Sequence, residues 1–246
     1  MIDFYDQLSS DYDQMTNAQK RMSREKPFFE SLLNRFHFLT ALDLGCGTGQ
    51  SMKSLVGLGI ETIGIDPSKE MLTVARKNLE GFENRTCLLH GDFLSLPDIL
   101  TDPVDIVFCL GNTLPHLLNK EDLITGLTNI RNITKPGGNF VLQLLNYHKI
   151  LLEKKRIVNI TRDGLKIFIR FYDFLSSLVQ FNILILEERE NGFNHRIITT
   201  ELYPWQENEI RKVLNIAGFK EIELYGDYTF NSFIPETSDN LVMIVK

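Results

Sequence analysis

Three short groups of residues in this chain have the types and spacing needed to hold a nucleotide-like ligand. Gly45-Cys46-Gly47-Thr48-Gly49 is a loop whose glycines let a ligand approach the backbone and permit positive φ. Asp66 follows Gly45 by 21 positions, where a carboxylate can accept from both hydroxyls of a ribose. Asp92 can accept from the exocyclic amine of a purine while Phe93, next to it, covers the ring. Hydrogen bonds to a charged acceptor are worth roughly 1.5–3 kcal/mol each, enough to orient a ligand. Plainer readings stand beside these: a tight strand–helix turn for the glycines, and an N-capping or solvated carboxylate for Asp66.

A second set has the types found beside a reacting group. Asn112 and His116 lie in Cys109-Leu110-Gly111-Asn112-Thr113-Leu114-Pro115-His116-Leu117, and a histidine there can orient an acceptor or help remove its proton. Equally, His116 can be a helix-start histidine and Asn112 a cap for loop amides. The other histidines, His37, His90, His148 and His195, show no i,i+4 pairing or adjoining acid cluster, and no metal is predicted. Cys46, Cys87 and Cys109 are far apart, form no CxxC pair, and read as small buried hydrophobes in a reduced protein.

These residues need elements to position them. Ala41 to Leu44 reads as a strand ending at the glycine loop, with a helix over Gln50 to Leu58. Thr62 to Ile65 is a second strand stopped by Asp66-Pro67, and Ser68 is the expected N-cap of a helix to Leu79. Cys87 to His90 and the apolar run Asp105 to Leu110 are further strands. Glu121 to Thr134 is helical, and Lys135-Pro136-Gly137-Gly138 is expected to break it before a strand over Asn139 to Leu145. Such alternation implies right-handed crossovers and a parallel sheet. From about Glu153 to Leu202, runs such as Lys166 to Arg170 and Val179 to Leu186 predict an antiparallel insertion. A helix over Glu207 to Ala217 and strands over Glu221 to Tyr225 and Leu241 to Val245 close the chain.

The order and spacing of these motifs over about a hundred residues resemble the class I S-adenosylmethionine-dependent methyltransferases. The likeness implies an α/β, Rossmann-like, seven-stranded, mostly parallel sheet with helices on both faces, carrying the antiparallel β insertion. Its expected organisation is a cap and cofactor-binding core over 1–152, an insertion roofing the acceptor over 153–202, and a return to the core over 203–246. S-adenosyl-L-methionine is the implied cofactor. The glycine loop (Gly45, Cys46, Gly47, Gly49) would face its methionine part, Asp66 would hold its ribose, Met71, Asp92 and Phe93 would meet its adenine, and Pro67 and Leu110 would complete the cofactor-binding set. The strand-four motif further resembles the glycine N-methyltransferase group. That likeness places Arg21 on the cofactor carboxylate, Tyr12 in a segment folded over the cofactor, and Asn112, His116, Tyr147 and Tyr203 around the acceptor. Tyr12 also reads as a surface tyrosine, and Tyr203 and Tyr228 as core residues. That group keeps an arginine before its Asn-Tyr pair to grip the carboxylate of glycine; here Leu145 stands there, so glycine is expected to be a poor substrate.

The rival reading, an NAD-dependent dehydrogenase, fits less well. The loop is G-x-G-x-G and not G-x-G-x-x-G, and no tyrosine is followed four residues later by lysine. The net charge of −6 and the absence of any long basic run argue against a nucleic-acid partner. No stretch of about eighteen apolar residues predicts a membrane span, and the acidic N-terminus has no signal-like core, so a cytoplasmic monomer or homodimer is expected. The function implied is methyl transfer to a small molecule, first to an amine nitrogen. A small-molecule O-methyltransferase and a non-catalytic cofactor-binding module are the alternatives.

Overall fold

The computed structural model describes residues 2–246, and they begin with two helices that the sequence pattern does not announce. These are α1 (Ile2–Thr16) and α2 (Ala18–Phe36), joined at Asn17, which turns the chain with a φ of 51° and accepts from the Lys20 N–H. Then follow β1 (Thr40–Leu44), α3 (Gln50–Val56), β2 (Glu61–Asp66), α4 (Lys69–Asn78), β3 (Thr86–His90), α5 (Leu96–Ile99), β4 (Val104–Cys109), α6 (Lys120–Ile133) and β5 (Thr134–Leu145). After α7 (Tyr147–Glu153) come four strands, β6 (Ile157–Asp163), β7 (Lys166–Phe174), β8 (Val179–Arg189) and β9 (Gly192–Leu202). The chain ends with α8 (Glu207–Ile216), β10 (Ile222–Tyr225) and β11 (Asn240–Val245).

Seven strands form one sheet in the order β10-β11-β5-β4-β1-β2-β3, all parallel except for β11, which runs antiparallel to β5 and β10. This is a Rossmann-like α/β architecture, with helices on both faces. Strand order reverses beside β1, so the crevice at the carboxyl ends of β1 and β4 is the natural ligand site. On one face Leu42, Val107 and Leu142 pack with Leu127 of α6 and Leu214 of α8; on the other, Phe108 and Val141 pack with Phe28 and Phe29 of α2. Ser68 caps α4 as expected, its Oγ accepting from the Met71 N–H at 3.0 Å.

Two expectations need correction. Lys135-Pro136-Gly137-Gly138 does not separate helix from strand but lies within β5: Val104 pairs with Thr134 and Ile106 with Asn139, so the segment is a bulge in the ladder. Glycine is required there, because a Cβ on Gly138 would lie 2.5 Å from the Asp105 carbonyl oxygen. Cys87 is exposed, unlike Cys46 and Cys109, because β3 is the edge strand of the sheet.

The second sheet, β6-β7-β8-β9, is antiparallel throughout. Its inward face carries Phe168, Ile183, Ile185 and Ile198, which pack on Phe4, Leu8 and Met15 of α1. The acids of α1, together only an acidic N-terminus in the sequence, prove to be fasteners. Asp11 accepts from Lys166 and Arg196 of the second sheet. Asp13 accepts from Thr48, Gln50 and Asn78 beside the glycine loop, and Asp6 from Ser68. One helix therefore ties the second sheet to the Rossmann-like core.

Candidate functional site

The glycine loop leaves β1 with positive φ at Gly45 (79°) and Gly47 (53°). A Cβ on Gly45 would lie 2.3 Å from Thr113 Cγ2, so only glycine lets the loops after β1 and β4 meet. Asp66, buried at the end of β2, accepts from the Gly47 N–H at 2.8 Å through Oδ2 and from the Ser68 N–H at 2.9 Å through Oδ1. Burial pushes its carboxyl up to about 6 against the pull of those two N–H groups. Each oxygen keeps a further lone pair for a ligand hydroxyl. Asp92 accepts from the Leu94 and Ser95 N–H groups and from the Ser95 hydroxyl, all through Oδ1.

These residues line a narrow cleft with Met71, Pro67, Phe93 and Leu110. Asp43, two residues before Gly45, lines it as well, and burial pushes its carboxyl up to about 7, while Arg21 pulls the other way. Arg21 is held by its neighbours. Its Nε donates to Glu25 at 2.7 Å, Nη2 to Ser51 at 3.4 Å, and Ser51 in turn donates to the other oxygen of Glu25. The cleft therefore carries three carboxylates, Asp43, Asp66 and Asp92, and one cation, Arg21. That donor set fits S-adenosylmethionine: acids for the ribose diol, the amino group and the sulfonium charge, and a guanidinium for the carboxylate.

Tyr5, Tyr12, Arg21, Gly111 and His116 also line a second, larger chamber of about 720 Å³, so the two adjoin. His116, in a 3₁₀ turn after β4, places Nε2 at 2.8 Å from the Tyr5 hydroxyl, while its buried Nδ1 has no partner among the described residues. Burial pulls the imidazole down to about 4, so it is neutral at pH 7. Burial likewise raises the Tyr5 phenol well above its ordinary value, so it remains protonated.

All the expected cofactor residues line the cleft except Gly49. It caps α3 with φ 78° and faces α4, where a Cβ would lie 3.2 Å from Leu79. Asn112 lines the chamber, but its side chain is engaged, with Oδ1 accepting from the Leu145 N–H and Nδ2 donating to the Tyr147 hydroxyl. Tyr147 is buried behind Asn112 and lines neither space. Tyr203 also lines neither; its ring packs on that of Trp205, with centroids 3.9 Å apart. Tyr228 does line the chamber. Tyr5, Asp43, Asn159, Thr161 and Arg170 were not anticipated. Only Asp43 carried a readable signal, as the acid of the strand entering the loop.

Comparison with known proteins agrees with this geometry. Residues 41–138 match the family model described as a methyltransferase domain. Over 220 residues the chain is 27% identical to the glycine/sarcosine N-methyltransferase of Aphanothece halophytica, covering 88% of this chain and 80% of that one. Its fold is similar to that of an S-adenosylmethionine-dependent methyltransferase from Clostridium acetobutylicum, with a TM-score of 0.84, 19% identity and 98% of each chain covered. An amino pentose methyltransferase from Micromonospora echinaspora, solved with S-adenosylmethionine bound, aligns with a TM-score of 0.70 and 17% identity over 94% of this chain and 95% of that one.

Proposed function

We propose that the chain is a class I S-adenosylmethionine-dependent methyltransferase that methylates a nitrogen of a small-molecule amine. The observation that carries this reading is the neutral His116, lining both cleft and chamber, with Nδ1 unpartnered among the described residues. In the tautomer with hydrogen on Nε2, that hydrogen is donated to the Tyr5 oxygen, and Nδ1 offers its lone pair to an acceptor N–H.

When bound, the cofactor supplies an already activated methyl group, so the protein contributes placement more than covalent chemistry. Asp66 would hold the ribose, Asp43 the amino group and Arg21 the carboxylate. Tyr5 and Tyr12 of α1 would close over the junction and exclude water. An amine attacks only without its proton. The larger chamber favours that state, because Lys20, Arg21, Arg24 and Arg170 line it against the single carboxylate Glu25. Asn112 would act by bracing the end of β5 against the loop after β4.

The relatives' names support an amine: one methylates glycine and sarcosine, and another is an amino pentose methyltransferase. Leu145 lines the chamber where the glycine-binding arginine was expected, so glycine and sarcosine should be poor acceptors here. The test is transfer of labelled methyl from S-adenosylmethionine to paired small amines and alcohols of matched skeleton. Label should enter the amines. Preferential labelling of the alcohols would refute the reading.

A further inference from the structure

Three buried side-chain nitrogen or oxygen atoms lack a partner among the described residues: His116 Nδ1, Thr161 Oγ1 and Arg170 Nε. All three belong to residues lining the larger chamber. An unpaired buried polar group is costly, and more so when it is charged, so such groups mark places where a ligand completes the bonding. His116 is accounted for by an acceptor amine; Thr161 and Arg170 are not.

β6 and β7 bring this pair together. Asn159 lies opposite Arg170 and Thr161 opposite Phe168, so the polar residues share one face of the roof. Across β7 and β8 that face continues as Phe168, Ile183 and Ile185, which makes the polar corner conspicuous. Arg170 also differs from its neighbours. Arg156, Arg162, Arg189 and Arg196 of the same segment each meet a carboxylate, at Asp173, Glu188, Glu187 and Asp11. Arg170 has no carboxylate within ion-pairing distance among the described residues, and burial pulls its pKa down. A half-buried guanidinium without a counterion is expensive unless an anion arrives to pair with it.

We propose that the acceptor carries a carboxylate or phosphate group, bound by Arg170 together with Thr161 and Asn159. The proposal rests on the small-amine reading and deepens it. The anion is gripped from the roof and not from the end of β5, where Leu145 stands. A chamber of about 720 Å³ also lies in the range that takes ligands far larger than glycine. The substrate class is therefore an amine whose anionic group lies on a longer skeleton, with its nitrogen at His116 and its anion at Arg170. The lysine and arginines of α2 that line the same chamber add attraction for a negative ligand.

The experiment uses the full chain saturated with S-adenosylhomocysteine and follows the arginine Nε–H resonances by NMR. The Arg170 signal is assigned by its loss in Arg170→Lys. Sodium acetate, sodium phosphate and, as a cation control, methylammonium chloride are titrated separately. The Arg170 signal should move saturably with acetate or phosphate and not with methylammonium; whichever anion acts identifies the group. Calorimetric affinity for that anion should fall at least tenfold in Arg170→Met. An Arg170 signal indifferent to both anions, or an anion affinity unchanged in Arg170→Met, overturns the proposal. The wild-type titration alone decides if the methionine variant does not fold. Anion binding without amine turnover would sink the amine reading and leave the anion site standing; amine turnover without anion binding would do the reverse.

Discussion

The cleft is lined by Asp43, Asp66 and Asp92 with Arg21; the chamber beyond it by Lys20, Arg21, Arg24 and Arg170 with Glu25. The sign of the lining charge inverts across five shared residues, in a chain whose net charge is −6. The inversion matches two reactants of different kinds, a sulfonium donor and a neutral amine nucleophile. The two spaces also differ in construction. Most of the cleft comes from the ends of consecutive strands between Asp43 and Thr113, whereas the chamber draws on residues from Phe4 to Asn240. Local crossovers build the first; the second exists only once α1 and the antiparallel sheet have docked.

Substitutions that strike one side alone should separate the two. The largest effect is expected from Gly45→Ala, which combines a φ of 79° with a Cβ only 2.3 Å from Thr113. S-adenosylmethionine affinity should fall by about 100-fold or more, while anion binding in the chamber persists; calorimetry of both ligands reads the difference. Asp66→Ala comes next, at about 10- to 100-fold, or 1.5–3 kcal/mol. It removes the ribose contact and also frees the Gly47 N–H, so Asp66→Asn, which keeps an acceptor, should lose less. An unchanged affinity in Asp66→Ala would remove Asp66 from the site.

Arg21→Ala should weaken S-adenosylmethionine by about tenfold and barely affect adenosine, which has no carboxylate. Because Glu25 is then left buried and unpaired, Arg21→Lys is the control: it keeps a partner for Glu25 but loses the planar fork. Equal losses for both ligands would show that Arg21 acts on local order instead.

Acidity offers a subtler probe of the same contrast. Asp43 and Asp66 have pKa values raised to about 7 and about 6, so folding favours their protonated forms. Their stabilising contribution is complete below their ordinary value near 4 and is lost as the pH rises through 6 and 7. The cofactor-free melting temperature should therefore fall between about pH 4 and 7, and Asp43→Asn should flatten that fall. The cofactor wants the ionised acids, so its affinity should rise over the same interval. The smallest effect is expected on the acceptor side, where Leu145→Arg should raise glycine turnover only a few-fold, because the proposed anion grip lies at Arg170 on β7.

The same difference in construction explains what the sequence disclosed. Asp66 and the glycine loop are legible because a strand end and its following turn lie together in the chain. Ser68 is legible as a cap for the same reason. Gly49 misled because its left-handed conformation serves packing on Leu79 as readily as ligand approach. Tyr203 misled because its sequence neighbourhood resembles a substrate wall, while stacking on Trp205 decides where the ring goes. Of the aromatic residues of the insertion, Tyr172 and Phe181 line the chamber, whereas Phe168 is core against α1. Arg170 was unreadable altogether. In the sequence it is one charged residue in a strand, and only the pairing of its neighbouring arginines with acids makes its isolation visible. The acids of α1 were equally silent, since their partners lie far away in the chain, on the second sheet and around the glycine loop.

In the proposed reading, methyl transfer occurs where cleft and chamber adjoin, with His116 serving the acceptor and not the cofactor. The most direct test is the His116→Ala variant, followed by calorimetry with S-adenosylmethionine and by single-turnover methyl transfer to the best amine of the paired set. The account predicts cofactor affinity within about threefold of wild type and transfer slowed by about 100-fold, the scale typical of a lost proton acceptor. Cofactor affinity and transfer falling together, or transfer unchanged, would contradict it.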